Sequence, residues 1–345
     1  MRRLFVLAVV ASGLVLAGSS AALACGSLVA PNGAVRLVRT TTLAAYHDGV
    51  EHYVTNFQFV SPKTSFGSII PLPAAPTDVR RGGDWTLQRL EREVSPIQLD
   101  ARPDVLAASA AGVQVLQQVQ IDALDVTVLR GGGKDVAAWA AQQGFTLTPD
   151  TPSVLEFYSR RSPFFLAAKY DASAAVAHGL RSGDGTPVQL TIPVTAPWVP
   201  LRILGTGKPA DEVVNADVFL LTDTKPDLLA GQGLSTERSE PATPLLLHDL
   251  RSDRNMSWVP DQAWLTFLRL SQPAGRLGYD LAVGVGHPAR LADTGVAVSA
   301  VFPLPPRTGG DDWPVPVALG GAVTATALVV ALRAARRRGR AAAQA

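Results

Sequence analysis

Apolar and polar positions change period several times along the chain, and each change marks an element. Residues 34–46 are rich in Val, Leu and Thr, and residues 50–60 run with period two through Val50, His52 and Val54, with aromatics at Tyr53, Phe57 and Phe59. Between them stands Asp48-Gly49, a hairpin signal, because both central residues of a type I′ turn need positive φ. Residues 66–72 predict a third strand, closed by Pro71, Pro73 and Pro76. Asp84 is placed to cap a helix over 84–94, with Trp85, Leu87 and Leu90 on its apolar side. Residues 113–121 and 124–129 predict a second strand pair, then Gly131-Gly132-Gly133 breaks the chain before a helix over 134–143. Thr151-Pro152 opens a further helix reaching Arg161, with proline at its favoured first position.

Beyond it, 164–170 predicts a strand, 171–185 a loop, and 188–194, 198–204 and 213–221 three more strands. Past Thr222 the glycines and prolines loosen the chain, and 222–245 is where two subdomains would part. Residues 258–270, 281–285 and 296–302 close the fold. About ten strands and two or three short helices, in runs, predict an α+β class with largely antiparallel sheets.

Hydropathy at the two ends adds elements that no soluble fold requires. Residues 313–332 carry no charge, and 315–332 consist of Ala, Val, Leu, Gly, Thr and one Pro. A helix needs roughly 20 such residues to cross a hydrocarbon core about 30 Å thick. Arg333, Arg336, Arg337, Arg338 and Arg340 follow with no acid among them, a stop-transfer flank that faces the cytoplasm by the positive-inside rule. One C-terminal transmembrane helix is therefore expected over 314–332, with a cytoplasmic tail over 333–345 and a stiff Pro-rich stalk over 303–313. Met1-Arg2-Arg3, the apolar run 4–17 and Ala22-Leu23-Ala24 form an N-terminal signal peptide over 1–24, cleaved before Cys25. Cleavage there would leave a thiol at the mature start, as in a lipoprotein, but Ala22 stands where such signals carry a larger aliphatic residue. Arg2-Arg3-Leu4-Phe5-Val6 partly resembles a twin-arginine signal; the short basic start and strongly apolar core favour the general secretory route. The expected location is the cell membrane, single-pass, with 25–302 outside.

Charge bears on partners. The whole chain is +2 with a pI near 8.8. Without Arg2, Arg3 and the five tail arginines the exported part keeps all the acids, for a net charge of about −5. That argues against nucleic acid as a partner, since such binding needs a clustered basic face. The partners expected are membrane lipid and, at the envelope, other proteins or cell-wall components. A single Cys in an oxidising compartment excludes an intramolecular disulfide, so stability must come from burial.

Leu124-Asp125-Val126-Thr127-Val128-Leu129, the glycine turn, Ala138-Trp139, Gly144-Phe145, Val154-Leu155-Glu156-Phe157-Tyr158 and Phe164-Phe165-Leu166-Ala167-Ala168-Lys169 follow one another in an order that resembles a family of exported bacterial proteins. It is catalogued as domain of unknown function 2330. Phe66-Gly67-Ser68-Ile69-Ile70-Pro71-Leu72-Pro73 and the strands of 188–204 fit the same pattern, so the resemblance covers roughly residues 25–222. It implies export and membrane attachment and brings no activity or catalytic set. Members often carry further cysteines near the mature start; this chain has only Cys25, so a disulfide there does not carry over.

Candidate chemistry is sparse. With a two-residue turn, 47 pairs with 50 and 45 with 52, so His47 and His52 lie diagonally on one face, near enough to share a metal. No third ligand is evident, and solvated hairpin-tip histidines are the plainer reading. Gly131-Gly132-Gly133-Lys134 lacks phosphate-loop spacing, since Asp135 follows the Lys. There is no GxSxG elbow, and His178, His248 and His287 are scattered. Asp217 and Asp223 flank a strand as surface acids do, and Arg160-Arg161 suits a helix C-terminus. Neither a catalytic set nor a cofactor is assigned. Pro305-Pro306-Arg307-Thr308-Gly309 before the apolar run has the layout of a cell-wall sorting signal, with Pro305 in place of the usual Leu. The function expected is a membrane-anchored binding or scaffolding domain; the competing readings are an envelope hydrolase assembled from distant residues and a wall-anchored surface protein.

Overall fold

The predicted Asp48-Gly49 turn forms, and the main sheet is built outward from it. In a computed structural model of the chain, which describes residues 22–23, 27–29, 39–58, 66–94, 114–177, 185–295 and 302–303, strands and short helices follow one another in runs. β1 (Ala22–Leu23) and β2 (Ser27–Val29) are brief, and β3 (Arg39–His47) and β4 (Val50–Gln58) form the hairpin. β5 (Phe66–Leu72), β6 (Asp78–Arg81) and α1 (Thr86–Val94) follow. β7 (Gln114–Ile121) and β8 (Leu124–Arg130) make a second hairpin, then come α2 (Gly133–Gln142), α3 (Thr151–Ser159), β9 (Phe164–Tyr170) and α4 (Ala172–Ala177). β10 (Gly185–Pro193), β11 (Trp198–Val199) and β12 (Val213–Thr222) lead to β13 (Asp227–Ala230) and β14 (Leu234–Pro241). α5 (Pro244–Ser252), β15 (Trp264–Pro273), β16 (Leu281–Gly284) and β17 (Phe302–Pro303) complete the order.

The main sheet runs β14-β15-β12-β3-β4-β10-β6, with β1 beside β3. All its neighbours are antiparallel except β12–β3 and β1–β3. A second, antiparallel sheet runs β2-β5-β9-β8-β7, and a third β11-β16-β13-β17. The α+β class with mainly antiparallel sheet is therefore observed, with five short helices among the described residues rather than two or three.

Period two along β3 and β4 sends alternate residues to two apolar clusters. Leu43, Ala45 and Val54 pack with Leu87 and Leu90 of α1 and with Leu246, Leu247 and Leu250 of α5. Ala44 and Tyr53 point to the other face, where they join Ile70, Leu124 and Leu166 of the second sheet and Leu155 and Tyr158 of α3. With apolar cover on both faces, β3 reads as a near-continuous buried run, as a central strand should.

Four local expectations change, each for a physical reason. The chain past Thr222 does not loosen: Gly233, at φ 88°, makes the turn into β14, and Pro244 is an early helical residue of α5 behind the cap that Thr243 Oγ1 gives Leu246 N–H, at 3.2 Å. Residues 198–204 are strand only at β11, because the Leu201 and Arg202 N–H groups turn inward to donate to Asp280 Oδ1 at 2.8 and 3.0 Å. Helix α4 occupies the expected loop after Asp171, whose carboxylate accepts from Ser173 and Ala174 N–H at 2.7 and 3.0 Å. Helix α1 begins at Thr86 rather than Asp84, and its cap comes from Asp253, which accepts from Asp84 N–H, Trp85 N–H and Thr86 Oγ1 at 2.8–3.0 Å.

The described residues belong to one compact unit spanning Met1–Arg307; a second unit, Thr308–Ala345, lies outside them. The expected span 314–332, Arg333, Arg336, Arg337, Arg338 and Arg340, and Ala24 and Cys25 at the expected cleavage point all fall outside the described residues. No helix among the described residues is long and apolar enough to cross a membrane. Ala22 does lie within them, in β1 beside Arg39, and a chain cleaved before Cys25 would lack that two-residue strand while β3 keeps both β12 and β4.

Candidate functional site

Asp48 and Gly49 have φ of 49° and 77°, which makes a two-residue type I′ connection. The register follows: His47 pairs with Val50 and Ala45 with His52. His47 and His52 thus share the helix-covered face, while Tyr46 and Glu51 share the opposite one. Sequence reasoning could not place Asp223. It follows β12 directly, and because β12 runs parallel to β3 with Thr222 beside Tyr46, it arrives next to His47.

The result is an exposed trio at one rim of the main sheet. His47 Nδ1 is hydrogen-bonded with Asp223 Oδ1, and His47 Nε2 lies 3.4 Å from Asp48 Oδ2. One donor atom from each residue lies within 4.8 Å of the others. Such an imidazole–carboxylate set has the ligand types of a divalent site. His52 is not among the converging donors. Its ring lies flat on Trp258, at 3.9 Å and 8° between planes. Burial first, then the charges of Arg80 and His47, push its acidity constant down to about 4, which holds the ring neutral.

Around His52 the same face carries a strip of buried polar atoms. His52 Nδ1, Asn56 Oδ1, Trp258 Nε1 and both amide atoms of Gln189 have no hydrogen-bond partner among the described residues. Gln189 pairs in register with Val54 on one side and Arg80 on the other, so these groups are close neighbours. On the opposite face Glu51 is wholly buried between Tyr46 and Ile192, and neither carboxylate oxygen has a partner. Burial alone pushes its acidity constant up to about 8, so it is held as the neutral acid. Tyr46 beside it donates to the carbonyls of Val194 and Thr195 at 3.2 and 3.3 Å, and burial, then Asp223 and Glu51, raise its phenol.

The remaining sequence candidates resolve into structural roles. Gly133 is needed for close helix packing, since a Cβ there would stand 2.2 Å from Glu156 N, and Asp135 rather than a phosphate accepts from Gly132 N–H at 3.1 Å. Arg161 is engaged by the buried Asp280 and by the Asp293 carbonyl, and its guanidinium lies 4.2 Å over Trp198. Asp280 Oδ1 also accepts from Tyr158 Oη at 2.7 Å, which locks α3 to the turn after β11. Arg160 is exposed and pairs with Glu156 at 3.3 Å. Asp217 pairs with Arg269 at 3.4 Å. His248 is exposed near Asp249, His287 faces the carbonyls of Pro288 and Thr195, and His178 lies outside the described residues.

No curated protein matches the chain. Among solved structures it is similar to baculovirus P35, at 9% identity and a TM-score of 0.39 over 72% of this chain and 96% of that one. It is also similar to a mutated baculovirus P35 after caspase cleavage, at 7% identity and a TM-score of 0.37 over 71% and 98%. TM-scores this low assign neither fold nor activity. The profile of an uncharacterised family conserved in bacteria matches residues 19–215, more than half of the chain, and the protein belongs to that family, domain of unknown function 2330.

Proposed function

We propose that the protein is exported, held in the cell membrane by residues 314–332, and presents residues 25–302 outside as a binding or scaffolding domain. The observation that carries this reading is the uncharged run 313–332 followed by five arginines and no acid. The leader pattern over 1–24 and the acidic balance of the part between support it. The test is protease treatment of intact cells, with mass spectrometry of both termini of the membrane-bound chain. The expected result is a mature start at Cys25, a digested outer domain and a protected Arg-rich tail. A full-length product with Met1, free in the cytosol, would overturn it. A C-terminus at Thr308 would instead favour the wall-anchored reading.

A second reading, an envelope hydrolase, draws on the meeting of His47 and Asp48 with Asp223 from a distant strand. It requires the trio to hold a divalent ion that activates water. Equilibrium dialysis of the purified protein with zinc tests it: binding that His47→Ala and Asp223→Asn each abolish supports the hydrolase, and absence of binding removes it.

A further inference from the structure

The outer strands of the three sheets differ in one respect. β6 is short and carries Asp78, Arg80 and Arg81; β14 carries Glu237, Arg238 and Glu240 and ends at Pro241. β2, β11 and β17 are only two or three residues long. Short length, charge, proline and bulges are among the means by which sheet edges resist further pairing. β7 has none of the first three. Its eight residues, Gln-Val-Leu-Gln-Gln-Val-Gln-Ile, contain no charge and no proline, and most are exposed. Val115 and Leu116 are 37% and 42% exposed. β8 pairs along one side, with one irregularity between Val115 and Gln117; no described strand is hydrogen-bonded along the other, and β6 approaches only where Arg81 pairs with Asp122 just past the strand.

We propose that β7 pairs antiparallel with β7 of a second copy of this chain across a twofold axis, joining the two five-stranded sheets into one. Such a pairing sets each residue opposite another of the same strand, and only a residue on the axis meets its own copy. β7 carries no charge, so no register of this pairing sets like charges against each other. With the axis at Gln117, Gln114 faces Gln120, Val115 faces Val119 and Gln117 faces its own copy, so amides meet amides and the valines meet each other. The contact is small. An eight-residue ribbon falls below the roughly 1,000 Å² that a stable interface in solution needs. Confinement of both copies to one membrane raises their effective concentration and makes up the difference. In this the inference rests on the anchored topology proposed above.

The test uses the full-length chain in its own membranes, with Cys25→Ser and single cysteines at Gln114, Gln117, Gln118 or Gln120. Facing residues of paired strands come within disulfide reach at few positions. Oxidation should therefore give a self-linked dimer whose yield peaks at one position, roughly fivefold or more above Ser235→Cys on β14. Gln118→Lys, or Gln120→Lys if 118 is the peak, should cut that yield severalfold with an unchanged unfolding midpoint. A membrane-located chain without cross-links above the control overturns the pairing and leaves the anchor standing. Cross-links without membrane location overturn the anchor and keep the pairing. Links mainly to another protein, or β7 thiols shielded from a maleimide by this chain's own residues 95–113, overturn the second copy as the occupant.

Discussion

One buried and one half-buried titratable side chain, Glu51 and His52, set opposite pH slopes on stability. Glu51, with an acidity constant raised from 4.5 to about 8, keeps its proton in the folded chain where the unfolded chain loses it. Stability from this group is complete below 4.5 and is lost as pH rises to about 8. Glu51→Leu should therefore gain at pH 8 relative to the natural chain, by about 2 kcal/mol or more, and gain less at pH 5. Urea unfolding at both pH values measures it; a gap independent of pH would refute the buried neutral acid. His52, lowered from 6.5 to about 4, acts in reverse: stability is lost as pH falls from 6.5 towards 4, because the unfolded ring takes a proton that the folded ring refuses. His52→Phe keeps a ring on Trp258 and should help at pH 5 more than at pH 7. Following the imidazole by NMR should place its midpoint near 4. That His47 and His52 share a face was legible, since turn type and period two determine it. That one meets carboxylates and the other an indole was not.

At the scale of elements, helix ends depend on partners far along the chain. The boundaries of α2, α3, β5 and β9 were legible to within two residues, because each has its own periodicity and its own Gly or Pro punctuation. The cap of α1 was not, because the chain's own Asp84 pairs with Arg81 at 3.0 Å and leaves the helix start to Asp253. Asp253→Ala removes the acceptor for three backbone N–H groups, of Asp84, Trp85 and Arg254, and the Thr86 hydroxyl, and should cost about 2–3 kcal/mol in denaturant unfolding. Gly83 is tied to the same cap, since a Cβ there would lie 2.4 Å from Asp253 Oδ2. Asp280→Ala is expected to cost more, about 3–5 kcal/mol, because it leaves Arg161 without its carboxylate and two N–H groups and the Tyr158 hydroxyl without their acceptor. Tyr158→Phe should lose only about 1–2 kcal/mol, its ring still packed on Trp198. Equal losses for the two variants would refute the hub.

For the whole molecule, the main sheet is held by strands far apart in sequence: β3 lies between β4, its immediate neighbour, and β12, a strand from Val213 onward. This parallel pairing brings Asp223 to His47; past it, β13 joins the third sheet and β14 returns to the main sheet beside β15. Location belongs to this scale as well. A chain ending at residue 312 should leave the membrane fraction and appear in the soluble extracytoplasmic fraction with its fold intact, as immunoblots of fractionated cells would detect. Retention in the membrane would mean that residues 314–332 are not the anchor.

What the amino-acid order determined alone was whatever depends on neighbours within a turn or two: the hairpin and its register, the strand and helix periods, the α+β class, and the hydropathy from which export and anchoring are proposed. Tertiary structure alone decided which remote groups meet: Asp223 with His47, Asp253 with α1, Asp280 with Arg161. It also left Glu51 without a partner and β7 without a second paired strand among the described residues. Periodicity is written locally because backbone geometry repeats every two or 3.6 residues. A partner more than a hundred residues away is chosen by how whole faces pack, and no short stretch of chain records that.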